Sequence, residues 1–383
     1  MKQLTPVRQL TIQDAEDACL GGGVFACGGG GWYEHGLQNG RLAVTLGRPV
    51  LVGIDDVPQG GLIVTISATG APASDDFEMW PRDYIRAFEL VRAAAETETG
   101  LRVVGVMNAQ NGYSSTVNSW MPAAATGLPV IDAAGDVRAH PTIKLGAMGY
   151  AGSPEFRTMQ AAVGGKRGQH MDLELLVRGS LFRTSNVMRA ASVQAGGFIA
   201  SARLPLPVSV IRERAAHGAV SLAIELGRAM RAAQPYGDAV LDAVAAVTGG
   251  RWLGHGRVGS MTLHTEGGFD HGAYTIDTAQ GELDLRLMNE FMTVERRNKK
   301  KKAGERLATF PDTICVLDAA SGLPLKSGEI VQGREVAVLH VHRDLLPLGA
   351  GVLDHAAYPE LEQIMGLDFL SHLPEIKRPA PQE

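Results

Sequence analysis

"DYIRAFELVRAAAETETGLRVVGVMNAQNGYSSTVNSWMPAAATGLPVID", residues 83–132, decides the fold. Its first eighteen residues carry apolar side chains at helical spacing, and Gly100 closes the helix. "RVVGVM" (102–107) is a short run rich in β-branched residues that reads as a buried strand. "SSTVNSWMPAAATG" (114–127) reads as helical and "LPVID" (128–132) as a second strand. Helix alternating with strand over this span predicts an α/β layer built on a largely parallel sheet.

Working outward towards the N-terminus, "PVLVGI" (49–54) and "LIVTIS" (62–67) are two more strand-like runs, joined by "DDVPQGG" (55–61). A parallel pair needs a crossover of a dozen or more residues, so these strands are an antiparallel hairpin or are not neighbours. Thr11 and Asp14 have capping-box spacing for a helix through "IQDAEDACL" (12–20), with Gly21, Gly22 and Gly23 expected to stop it. In the other direction, residues 171–234 read as helices, "DLELLVRGSLFRTSNVMRAAS" (172–192) and "VIRERAAHGAVSLAIELGRAMRAAQ" (210–234), separated by "ARLPLPVS" (202–209).

After Gly249 the pattern changes to short strand-like runs with turn residues between them: 251–265, 269–277, 282–294, 306–318 and 335–342. That spacing predicts a β-barrel or sandwich. The expected organisation is a three-layer α/β domain over 1–168, followed by 169–383, which holds a helical segment (169–235) and a β-rich, barrel-like domain (about 248–345).

Composition bounds the function. The chain has 383 residues, 45 % hydrophobic and 20 % charged, enough for a sizeable core, and a formal net charge of −5. No global basic field exists to draw nucleic acid or anionic lipid. The one basic cluster, "RRNKKKK" (296–302), has no interleaved aromatics and reads as a solvated hairpin loop. Cys19, Cys27 and Cys315 have neither disulfide nor metal-ligand spacing, and the polar N-terminus lacks the apolar core of an export signal. A reducing, cytoplasmic setting is expected, with no membrane span, no cofactor and no metal; small molecules are the expected partners, and a homo-oligomer the expected assembly.

The candidate chemistry begins with Gly28, Gly29, Gly30 and Gly31, which stand just before a helical run. Neither the Lys nor the Ser/Thr of a phosphate loop follows Gly31, so a P-loop is excluded. Gly21, Gly23 and Ala26 match the dinucleotide fingerprint in spacing but follow a helix instead of a strand, and no acidic residue ends a second strand, which disfavours a dinucleotide site. What survives is a nest of backbone amides suited to a carboxylate or a developing oxyanion. Cys27 beside it reads either as a thiolate nucleophile or as a small buried apolar residue. Asp55 and Asp56 read as paired carboxylates or as turn residues. Asp132 directly ends a predicted parallel strand, with Arg138 in the following loop, where ligands of open α/β sheets bind. His340 and His342, with Asp344, share a strand face, and such a His-x-His pair resembles that of metal-dependent cyclic amidohydrolases; an exposed strand edge is the alternative.

"GGGG" (28–31), "IDDVP" (54–58), "GAP" (70–72), "GLPVIDAAGDVRAHP" (127–141), "ELGRAMRAA" (225–233) and "FPDTICVLD" (310–318), in this order, resemble the S-methyl thiohydantoin desulfurase-like family. The resemblance implies an N-terminal three-layer α/β domain, a C-terminal part with a β-barrel, and a link to hydantoin and thiohydantoin breakdown beside hydantoinase-type enzymes. By position it carries an acidic-loop motif onto Asp132, Ala133, Gly135, Arg138 and Pro141. The chain departs from the motif at Thr142, where the resemblance implies a glutamate, leaving Asp136 and His140 as local substitutes. The expectation is a hydrolase that attacks a C=N or C=S carbon of a small carboxylated ring: Asp132 as general base helped by Asp136 or His140, Arg138 on the carboxylate, and the glycine amides with Asp55 and Asp56 at the substrate. Two alternatives stand beside it, a non-catalytic accessory subunit of a hydantoinase-type system and a metal-dependent cyclic amidohydrolase.

Overall fold

A computed structural model describes residues 7–374 except 75, 236 and 298–303. The basic cluster is therefore described only at Arg296 and Arg297; the rest of it lies outside the described residues.

The first sheet holds β1 (Arg8–Gln9), β2 (Val50–Val52), β3 (Leu62–Gly70), β4 (Val103–Gln110), β5 (Val130–Asp136), β6 (Arg157–Gly164), β7 (Leu173–Ser180), β8 (Phe198–Pro207) and β9 (Ala216–His217). Its order is β1-β2-β5-β4-β3-β8-β6-β7, with β9 paired to β5. The central β2-β5-β4-β3 run is parallel, and every other pairing is antiparallel. The sheet is thus mixed, not largely parallel. β2 and β3 are not neighbours, because β5 and β4 stand between them.

Helices cover both faces. Helix α1 (Ile12–Phe25), α2 (Tyr33–Gly47), α3 (Pro81–Thr99) and α4 (Trp120–Thr126) flank one core with Tyr84, Phe88 and Trp120. The opposite core takes Leu181 and Met188 from α5 (Leu181–Gln194) and Val208 and Ile211 from α6 (Val208–Arg214). The Thr11–Asp14 capping box is present. The helix it starts does not stop at Gly21 but runs to Phe25. A Cβ at Gly21 would lie 2.0 Å from Ala223 O, so this glycine lets α7 (Ala219–Ala233) pack closely on α1.

The stretch 169–235 contains α5, α6 and α7 but also β7, β8 and β9, which join the first sheet. In β7 the period is two: Leu173, Leu175 and Val177 pack on one core while Leu176 packs on the other. β5 also runs on to Asp136, so Asp132 lies inside the strand and does not end it.

After α8 (Gly237–Thr248) comes an all-antiparallel second sheet: β10 (Arg251–Glu266), β11 (Phe269–Thr278), β12 (Gly281–Met288), β13 (Glu290–Arg297), β14 (Glu305–Thr309), β15 (Thr313–Asp318) and β16 (Glu335–Val341). Its order, β14-β13-β12-β11-β10-β16-β15, leaves β14 and β15 as edges, so the sheet curls into a half-barrel without closing. The run 282–294 splits into β12 and β13 at Asn289, whose φ of 56° makes the reversal. A shared core of α1, α7 and α8 with β15 and β16 joins the two halves. Among the described residues no helix is long and apolar enough to cross a membrane.

Candidate functional site

Side chains from both sheets line a small cleft of about 40 Å³. It lies at the carboxyl ends of β3 (Ser67 to Gly70) and β4 (Gln110), the end where open α/β sheets bind ligands. The glycine loop contributes Gly30 and Gly31, and the loop after β5 contributes His140 and Thr142. Arg189 of α5, Arg203 of β8, and Asn289 and Glu290 of the β12–β13 reversal complete it.

Glu290 explains the glycines. A Cβ at Gly29 would lie 2.4 Å from Glu290 Oε1 and 2.9 Å from Asn289 O, so only glycine lets the carboxyl sit against the loop. The Gly30 amide donates to this carboxyl, and Gly28 packs on Phe291. The nest therefore holds a carboxyl group of the protein itself, where the sequence pattern points to a ligand's carboxylate or oxyanion. Burial pushes the Glu290 carboxyl up to about 8, against the opposing pull of Arg138, Arg189 and the Gly30 amide. Among the described residues its Oε2 has no hydrogen-bond partner.

His140 is buried, and Nδ1 stands 2.9 Å from the carbonyl of Thr142. A carbonyl only accepts, so Nδ1 carries the proton; burial and then Arg203 hold the ring down to about 3, which keeps it neutral. Nε2 is then a lone pair; among the described residues it makes no hydrogen bond, and the Ala109 backbone also interacts with the ring. Thr142, where the resemblance expects a glutamate, lines the same cleft with its hydroxyl unpartnered. Arg189 donates to the carbonyls of Gly70, Gly268 and Pro141 and stacks over Phe269, which seams the two sheets at the cleft floor.

The other expected residues serve the frame. Asp132 Oδ1 accepts the Val220 and Ser221 amides, so it caps α7 from the neighbouring strand. Arg138, fully buried, donates to Ala139 O, Asp312 O and Phe291 O and lies over Phe310, clamping the loop to the second sheet. Asp136 accepts the Gly349 amide, and burial pushes it up to about 7. None of these three is among the cleft-lining residues. Asp55 pairs with Arg212 and Asp56 caps the Gly53 amide on an exposed turn. Burial raises the Cys27 thiol, as for a small apolar core residue. His340 has both ring nitrogens engaged, Nε2 with Asp312 and Nδ1 with Arg251, while His342 caps Asp344. Among the described residues no group of three or more His, Cys, Asp or Glu side chains is gathered for a metal.

Glu290, Asn289, Arg189, Arg203 and Gln110 were not legible as site residues. One signal was available for two of them: Asn289-Glu290 interrupts the apolar alternation of 282–294 where a strand should continue.

Fold and cleft together define a two-part protein, a mixed α/β sheet joined to a curled antiparallel sheet, with a polar site at their seam. The chain belongs to the S-Me-THD-like family: the model of its N-terminal domain matches residues 13–174 and that of its C-terminal domain residues 180–345. An X-ray crystal structure of a protein from Chromobacterium violaceum, a structural genomics target, has the same fold, with a TM-score of 0.68 at 22 % identity over 94 % of this chain and 96 % of that one. None of the curated proteins matches the chain.

Proposed function

We propose that this protein hydrolyses a small carboxylated ring of the thiohydantoin or hydantoin type in the cleft, with Glu290 moving the protons. The observation that carries the reading is a buried carboxyl, raised to about 8 and with one oxygen unpartnered among the described residues, on a residue that lines the same cleft as His140. Membership of the S-Me-THD-like family supports a thiohydantoin-related substrate.

For an S-methylated ring the steps balance around one group. Water attacks the carbon between the ring nitrogens, the C=N electron pair moves to nitrogen, and protonated Glu290 gives that nitrogen its proton. The carboxylate so formed takes a proton from the added water. As the C=O bond forms and the C–S bond breaks, Glu290 gives its proton to the leaving sulfur and takes the remaining hydroxyl proton, which restores its protonated form and leaves a hydantoin and methanethiol. A group that titrates near the working pH is suited to both directions of transfer. Proton transfer falls to Glu290 and not to Asp132, whose Oδ1 is occupied by two helix amides. The hydantoin product would suit a ring-opening amidohydrolase, the partner activity expected from the resemblance.

The test is thiol release from S-methyl-2-thiohydantoins bearing a carboxylate side chain, followed with a thiol reagent. Turnover that falls by about a hundred- to ten-thousand-fold in Glu290→Gln supports the assignment. Unchanged turnover in that variant removes Glu290 from the chemistry, and binding without turnover in the wild type favours the accessory-subunit reading.

A further inference from the structure

Arg203 is a buried cation whose charge the protein leaves unanswered. It is 3 % exposed, and among the described residues its Nε has no hydrogen-bond partner and it makes no ion pair. Burying a guanidinium in this way is unfavourable unless something anionic completes it. Its placement is also forced. Leu204, next to it in β8, has a φ of 51°, a left-handed conformation that a leucine resists. The β3–β8 register shifts there, between Ile63 and Thr65. Such a bulge re-aims the side chains beside it, and strain of this kind collects at ligand sites.

His140 Nε2 stands near the same point: the Cβ position of Gly146 is 2.5 Å from His140 Nε2 and 3.7 Å from Arg203 Nη2. Among the described residues Arg203 Nε lacks an acceptor and His140 Nε2 lacks a donor. Both residues line the cleft, as Glu290 does.

We infer that Arg203 and His140 Nε2 form a two-point recognition subsite, Arg203 for a carboxylate on the ligand and Nε2 for an N–H of the same molecule. This moves the anion anchor from Arg138, whose donors are engaged by three backbone carbonyls, to Arg203. It rests on the ring hydrolysis reading for the identity of the N–H bearing group, but the anion site stands on its own geometry. Arg189 is the second cation near it, held by three backbone carbonyls with the Asp270 carboxyl beside it. The carboxylate therefore selects Arg203.

The experiment is calorimetric titration of the full-length protein at pH 7 with three probes: hydantoin-5-acetate, its side-chain amide, and succinate, which has no ring. The wild type is expected to bind the acid at least about tenfold more tightly than the amide, since hydrogen bonds to charged groups are the strong ones. Arg203→Met is expected to abolish the preference and Arg203→Lys to keep part of it, with thermal melts checking that each variant is folded. Equal wild-type binding of acid and amide overturns the subsite and leaves the ring reading standing, and that arm needs no variant. Succinate binding that depends on Arg203, with no binding of either ring compound, supports the subsite and removes the ring reading. Binding of neither the acid nor succinate overturns the subsite.

Discussion

Glu290→Gln tests the site without relying on a known substrate. Glutamine keeps the shape and an oxygen for the Gly30 amide, and removes the titration. Burial raises the folded carboxyl from an ordinary value of 4.5 to about 8, so between those pH values the folded chain holds a proton that the unfolded chain has released. Stability must therefore fall as pH rises through that window and be flat for this group below and above it. The slope cannot exceed about 1.4 kcal/mol per pH unit, and the integrated loss across the window has an upper limit of about 4 to 5 kcal/mol. Asp136, pushed up to about 7, contributes a fall of the same sign, and His140, held neutral, lowers stability on the acid side. Both are common to wild type and variant, so the difference between the two curves isolates Glu290. Urea unfolding of each protein at pH 5, 6, 7, 8 and 9 supplies the curves. The variant should gain on the wild type progressively from pH 5 to 8. Parallel curves would refute the buried, protonated carboxyl and with it the proton-transfer role.

Gly29→Ala should drive the Glu290 carboxyl from its seat and lower stability by about 1 to 3 kcal/mol, with turnover reduced as in Glu290→Gln; denaturant melts and thiol release read the two effects. Asp132→Ala, by removing the cap of α7, should lower stability by about 1 kcal/mol and leave turnover of the remaining folded enzyme within about twofold of wild type. Arg138→Met should lower stability by about 3 kcal/mol, because three buried carbonyls lose their donor; a loss of ligand binding at full stability would instead return it to the site. Cys27→Ala should keep activity and resist thiol-reagent inactivation no better than wild type, as expected of a thiol raised by burial.

The alternation of periods, read locally, determined most of the frame. Helix α3 and its Gly100 stop, the strands at 103–110 and 130–136, and the switch to short antiparallel strands after Gly249 all follow from apolar spacing and turn residues, which act over a few residues. The capping box at Thr11 and Asp14 is of the same kind. Where two local signals competed, tertiary pairing chose: 173–180 became a strand because β6 offered an edge, and Gly21 to Gly23 stayed helical because α7 and the loop at 112–113 press against them. The glycine run at 28–31 was legible as a cradle, but its occupant was not, since Glu290 reaches it only through the pairing of β12 with β13 and the packing of the second sheet on the first. Asp132 shows the converse, a carboxylate well placed in sequence whose partner amides come from 88 and 89 residues away. A polar atom becomes a site when burial removes water and its neighbours fail to satisfy it. For Glu290, His140 and Arg203 that condition is set by residues distant in the chain, so only the tertiary structure decided it.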